Sequence, residues 1–137
     1  MKKLLWGLLI LLLLLAAGGF YVFNMSGDSV AKKDADHSLQ ASALYAEYSA
    51  NEQGSNKKYI GKTIEISGTI SELSKDQEGA TVLMFTEPGE MEGVMCTLEK
   101  SEDTADLSVG KTVTVKGQCT GMLEMTGVVL NKSVLVE

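Results

Sequence analysis

The stretch Gly61-Lys62-Thr63-Ile64-Glu65-Ile66-Ser67-Gly68 returns 49 residues later as Gly110-Lys111-Thr112-Val113-Thr114-Val115-Lys116-Gly117. In both copies β-branched residues alternate with more polar ones between two glycines, the period-two pattern of a strand with one buried face. There is no third copy, which excludes a solenoid and points to two related strands in one small sheet. Ile64, Ile66 and Ile70 share a face of the first strand. Leu73 breaks their parity, so a bulge or bend is expected near Gly68, where the missing side chain permits strong coiling.

Further strands follow on both sides of the repeat. After a turn over Ser74 to Gly79, Ala80 to Thr86 reads as a strand apolar on both faces, and Glu87-Pro88-Gly89-Glu90 as a loop. Gly93 to Leu98 is a third strand, with Val94, Cys96 and Leu98 on one face. Ser101, Glu102 and Asp103 suit the start of a short helix. Lys111 to Cys119 and Val128 to Val136 complete the set. Upstream, Ala41, Leu44, Tyr45 and Tyr48 recur at i, i+3, i+4 and i+7, which predicts one amphipathic helix from about Ser38 to Gln53 with Gly54 as its terminator. Asn24 to His37 is polar and aperiodic and reads as a tether.

The chain begins with a different kind of segment. Leu4 to Phe23 carries no charge and is dominated by leucine, and a helix of about 20 apolar residues matches the ~30 Å hydrocarbon core of a bilayer. Lys2 and Lys3 before it, against the mixed flank Asp28, Lys32, Lys33, Asp34 and Asp36, favour a cytoplasmic N-terminus. The expectation is a single-pass inner-membrane anchor over residues 1–23, a tether over 24–37, and an extracytoplasmic, periplasmic domain over 38–137. A cleaved signal peptide is the alternative, with Ala17-Gly18-Gly19 as the small residues; the apolar run exceeds a signal h-region and continues past them, which favours the anchor.

Beyond the anchor, ten lysines stand against all eighteen acidic residues, a net charge of −8, and there is no arginine. Duplex binding depends on positive charge displacing counterions, and arginine is the residue most used on phosphate and guanine. Nucleic acid is therefore disfavoured as a partner. The one histidine, His37, falls in the expected tether, and no nucleophile with a paired base or phosphate-binding glycine loop is present, so no enzyme, cofactor or metal site is expected.

Three strands, a short helix and two strands is the element order of the OB-fold, a five-stranded Greek-key barrel. The ordered set Leu44-Tyr45, Tyr48, Asn51-Glu52, Lys57-Lys58-Tyr59, Gly61-Lys62, Gly68, Gly93-Val94, Cys96, Gly110, Val113, Val115, Lys116-Gly117, Cys119 and Gly121 resembles the bacterial tRNA_anti-like OB-fold family. The resemblance covers about Leu44 to Val136. It implies an OB barrel, in a family with membrane- or lipid-anchored members outside the cytoplasm, and it does not carry RNA binding with it.

The domain reads as a non-catalytic binding module for a protein, peptide or glycan. OB barrels bind across strands 2 and 3 and adjoining loops, which selects Phe85, Met95, Gly121 and Met122 as contact residues. Phe85 has a second reading as barrel filling, and it is the only aromatic after Tyr59, leaving little to stack bases on. Cys96 and Cys119 both fall on inward positions of an exported domain and form a candidate disulfide, whose 23-residue loop would be worth ~3 kcal/mol; the alternative is two buried free thiols. Met84, Met91, Met95, Met122 and Met125 raise Cu(I) binding as a rival function, since soft thioethers suit that ion, but no histidine or tryptophan accompanies them. Glu87, Glu90 and Glu92 lack a calcium-loop pattern and read as a solvated edge.

Overall fold

In a computed structural model, residues 1–25 and 30–136 are described. Helix α1 (Lys2–Met25) is followed by a 3-10 turn (Val30–Lys32), strand β1 (His37–Gln40) and helices α2 (Ala41–Ala50) and α3 (Glu52–Tyr59). Six strands complete the chain: β2 (Thr63–Thr69), β3 (Glu72–Lys75), β4 (Thr81–Phe85), β5 (Gly93–Leu98), β6 (Thr112–Leu123) and β7 (Gly127–Val136). Helix α1, 24 residues long, extends ~36 Å at 1.5 Å per residue. Its segment Lys2–Gly19 has a mean hydropathy of 1.8 with none of it buried, so by length and composition it is a candidate membrane span or signal sequence.

The strands form one seven-stranded sheet in the order β1-β2-β6-β7-β5-β4-β3. This pairing is open, and a closed five-stranded Greek-key barrel is not what it displays. The extra members are β1 and β3. β1 lies parallel to β2, with His37 opposite Ile64 and Leu39 opposite Ile66, and β3 lies antiparallel to β4. The two copies of the repeated motif are neighbours, since β2 pairs with β6 from Thr63–Gln118 to Thr69–Thr112. The break in parity after Gly68 corresponds to the interruption between β2 and β3 at Ile70-Ser71. Ile70 exchanges backbone hydrogen bonds with the segment before β6, while the Ser71 N–H donates to Met84 O of β4.

The register explains the core. Leu83, Cys96, Leu130 and Cys119 are successive partners across β4, β5, β7 and β6, and all four are buried. The row beside it is Phe85, Val94, Val128 and Met122. Leu44 and Tyr48 of α2 and Tyr59 of α3 cover this core. Gly68 sets the closest approach: a Cβ there would meet Phe85 Cδ1 at 2.9 Å and Ala41 Cβ at 3.2 Å, so the bare backbone lets the ring and the first turn of α2 meet on β2.

Three local expectations are corrected. The single helix over 38–53 is a strand and two helices, because Asn51 leaves the helical region at φ −157° and its Oδ1 accepts the Gly54 N–H at 3.0 Å, starting α3 instead of letting Gly54 end α2. No helix follows Ser101. Glu102 accepts from the Leu135 N–H at 3.1 Å and Asp103 from the Ala105 N–H at 3.1 Å, so of the two acids that suited a helix start one ties the segment to β7 and the other holds a turn. The tether is also shorter than expected. Val30 is buried, the 3-10 turn packs on β6 and β7, and the Lys116 ammonium donates to the carbonyls of Ala31 and Lys33 at 3.3 and 2.7 Å. Asp36 is tied to Thr63 by two hydrogen bonds. The remainder of the expected tether, residues 26–29 with Asp28, lies outside the described residues.

The helices are joined by a small polar cluster. Tyr48 and Tyr59 stack at 6.0 Å, the Tyr59 hydroxyl donates to Glu47 at 2.5 Å, and Lys58 reaches the same carboxylate at 3.3 Å. The Tyr59 hydrogen bond, with Lys58 beside it, holds the Glu47 carboxyl below its ordinary range.

The candidate disulfide is not formed. Cys96 and Cys119 are free and buried, and both are in register with Leu130 on the strand between them. Strands lie ~4.8 Å apart, so two spacings exceed the ~7 Å limit for bridged Cα atoms. Burial pushes the Cys96 thiol far up, while Cys119 Sγ lies 3.5 Å from the Tyr48 hydroxyl. Neither thiol should react with a water-soluble maleimide in the native protein, and both should be labelled after denaturation without reductant. Absence of adducts after denaturation would establish a bridge. A second outcome follows from Glu47: its lowered pKa gives stability that is present above the ordinary glutamate value and lost as pH falls through the lowered one. Glu47→Gln should cost under about 1 kcal/mol at neutral pH, because the pair is half-exposed. In urea melts its deficit should close on acidification below about pH 4.

Candidate functional site

The four residues selected from sequence fall in two adjacent register rows on opposite faces of the sheet. Phe85 and Met122 lie in the inward row, Phe85 buried and Met122 packed against the core. Phe85 is thus a filling residue that reaches the surface only at the floor of a groove. Met95 and Gly121 belong to the outward row, in which Met84, Met95, Val129 and Gly121 are successive partners. Met84 and Met95 are half-buried and side by side. Gly121 contributes no side chain: it sits in a bulge of β6 at φ +106° beneath Ile60. Met95 is therefore the selected residue that presents a side chain outward, and Met84 is the neighbour that sequence reasoning did not select. A strand apolar on both faces gave parity nothing to decide between Met84 and Phe85.

The outward row is bordered by loops with fixed shapes. The β3–β4 turn is held by Asp76 Oδ1, which accepts the N–H groups of Glu78 and Ala80 at 2.9 Å each. The β4–β5 loop and the β6–β7 hairpin are tied together: Glu92 accepts the Met125 N–H at 3.0 Å and the Gly93 N–H donates to Thr126 O. The other Glu92 oxygen receives the Tyr45 hydroxyl at 3.4 Å. One carboxylate thus joins α2 to the hairpin and holds Met125 at φ +65°, a conformation uncommon for a residue other than glycine. Met91 and Met125 are almost wholly exposed there.

Two hollows open elsewhere on the domain. One, of about 500 Å³, lies between Gln40-Ala41-Ser42, the end of β2 and the end of β4, with Phe85 at its floor and the hydroxyls of Ser67, Thr69, Ser71, Thr86 and Thr112 around it. Ser67 is bonded to Thr114 at 2.9 Å and Thr69 to Thr112 at 3.1 Å. Ser71 Oγ donates to Met84 O and accepts the Thr86 N–H, so these hydroxyls brace the sheet. The other hollow, about 510 Å³, is lined by Glu102, Asp103, Asp106 and Lys111 below Leu135. Among the described residues, His, Cys, Asp and Glu form no cluster of three with the geometry of a metal site.

Charge is divided between the two halves of the domain. Residues 70–111, which contain β3, β4, β5 and their loops, have ten carboxylates and three lysines, a net −7. Residues 30–69 and 112–136, which contain the 3-10 turn, both packed helices, β2, β6 and β7, have seven lysines and six carboxylates, a net +1. The outward methionine pair on β4 and β5 belongs to the acidic half. The segment leading from α1 packs on β6 and β7 in the other.

Comparison with known proteins bears on the fold and the family. The tRNA_anti-like family model matches residues 1–134, apolar helix included. A candidate nucleic acid-binding lipoprotein of Klebsiella pneumoniae superposes with a TM-score of 0.58 at 20% sequence identity, over 81% of this chain and 98% of that one. At that identity the likeness is one of fold. No curated protein matches. The chain belongs to the tRNA_anti-like family.

Proposed function

We propose that this chain is a membrane-anchored, extracytoplasmic OB-type module that binds a protein or peptide partner on the outward face of β4 and β5 and performs no catalysis. In this reading β2 and β3 are two halves of one bent first strand. Ile70 and Ser71 are adjacent in the chain yet bond toward opposite ends of the sheet order, which supports a five-stranded barrel of the order β2/β3, β4, β5, β7, β6, with β1 added at an edge. β4 and β5 then correspond to OB strands 2 and 3, the usual binding face.

The division of charge carries the proposal. The half with the binding strands holds −7, and Met84, the partner of Met95, has Glu72 of β3 on its other side. An apolar contact in an acidic half of the domain suits a partner with an apolar side chain flanked by lysines or arginines. It opposes a phosphate backbone, whose binding rests on cationic neutralisation. Base stacking would need exposed aromatics, and Phe85 is buried.

Two measurements test this. The full chain in detergent should show no saturable binding of single-stranded RNA or DNA by fluorescence anisotropy at low salt; micromolar affinity that weakens steeply with added salt would overturn the reading. Met95→Glu should leave the melting curve nearly unchanged, because the side chain points outward, and should weaken capture of the envelope partner at least about tenfold, roughly 1.4 kcal/mol. Equal capture by parent and variant would move the binding face elsewhere.

A further inference from the structure

The outer face of β6 is unlike the β4–β5 face. Along it Lys116, Gln118 and Leu123 point outward, since Gly117 and Cys119 turn inward against Ser133 and the core. Leu123 is 56% exposed and Ile60, whose Cδ1 lies over Gly121, is 48% exposed. Leu123 and Ile60 therefore flank the Gly121 bulge on one surface. Lys57 is exposed in the last turn of α3, whose C-cap is Ile60, and Lys132 protrudes at φ +51° from β7 beside Asn131, the partner of Gln118; Glu124 is the exposed acid that follows Leu123.

The path from α1 arrives on this same face. The 3-10 turn packs on β6 and β7, and the carbonyls of its Ala31 and of the following Lys33 cap Lys116. From Met25, the last residue of α1, to the buried Val30 is five residues, a reach of at most ~18 Å. If α1 spans a bilayer, the outer face of β6 cannot stand far from the headgroups.

We infer that the β6 face bearing Ile60 and Leu123 docks on the surface of the bilayer in which α1 is anchored. Leu123 and Ile60 enter the headgroup region while Lys57 and Lys132 reach toward lipid phosphates, the pairing of apolar and cationic side chains used by interfacial segments. The −7 half, with β4 and β5, is then turned toward the aqueous side, away from the negative lipid surface. The inference rests on the anchor reading of α1 and adds an orientation to it.

The test uses the full chain in vesicles of phosphatidylethanolamine and phosphatidylglycerol that contain a headgroup-region doxyl lipid. A single environment-sensitive fluorophore is placed at Leu123→Cys, at Ile60→Cys, or at Ser74→Cys on β3; the native cysteines are buried. Flotation reports the anchor independently. A chain that floats, with labels at 123 and 60 quenched severalfold more than the label at 74, is the expected result. Equal quenching at the three positions in a floating chain overturns the docking and leaves the anchor standing. A chain that does not float overturns both. Concentration-dependent crosslinking between Leu123→Cys copies in lipid-free detergent would overturn the docking by assigning the face to a second copy of this chain.

Discussion

Ile70 and Ser71 are adjacent residues whose backbones belong to different neighbours. Ile70 pairs with Gly110 and Lys111 ahead of β6, and Ser71 gives its N–H and its hydroxyl to Met84 of β4. A chain that changes partner within one residue must bend sharply, and the bend brings the two sides of the sheet toward one another over a shared core. The strongly buried row Leu83, Cys96, Leu130 and Cys119 packs against the inward residues of β2 and against α2 and α3, which that curvature brings over it. Gly68 permits the bend from within. Its missing side chain is occupied by the Phe85 ring and by Ala41, which seats the start of α2 on the same spot.

That arrangement also separates the molecule's charges. The chain crosses from the half that follows α1 to the acidic half at the bend and returns at Lys111, so one continuous segment contributes nearly all of the domain's net charge. Lys116, held by the carbonyls of Ala31 and Lys33, is the point where the path from α1 meets the sheet. Attachment on β6 and β7 leaves β4 and β5 free of the segment that follows α1. Charge concentrated on one side of a domain gives it a directional field, which acts on any charged partner or surface it meets.

Much of the sheet was legible before any tertiary information. The paired motifs at Gly61 and Gly110 became β2 and β6, hydrogen-bonded to one another along their length, and the break after Gly68 coincided with the change of partner. The strands of 93–98 and 128–136 were recovered because alternation with a turn at each end is a local signal. Helix boundaries were less legible. Asn51 is an ordinary helix-surface residue until its side chain caps a second helix, and acids at 102 and 103 suit a helix start as well as they suit a contact to a distant strand or a turn.

The apolar run from Leu4, the absence of arginine and the net acidity are properties of composition, and they alone determined that the chain carries a bilayer-length apolar helix and an acidic remainder. The family was legible too, because spaced glycines and alternating apolar residues record backbone constraints that survive without contacts. Only tertiary structure decided that Phe85 fills the core while Met84 and Met95 face outward, that Cys96 and Cys119 are kept apart by Leu130, and that residues from Val30 onward are fixed to the sheet. Each of these depends on which strand lies beside which. Pairing is a long-range choice made by the bend at Ile70-Ser71, and a strand apolar on both faces holds no local record of it.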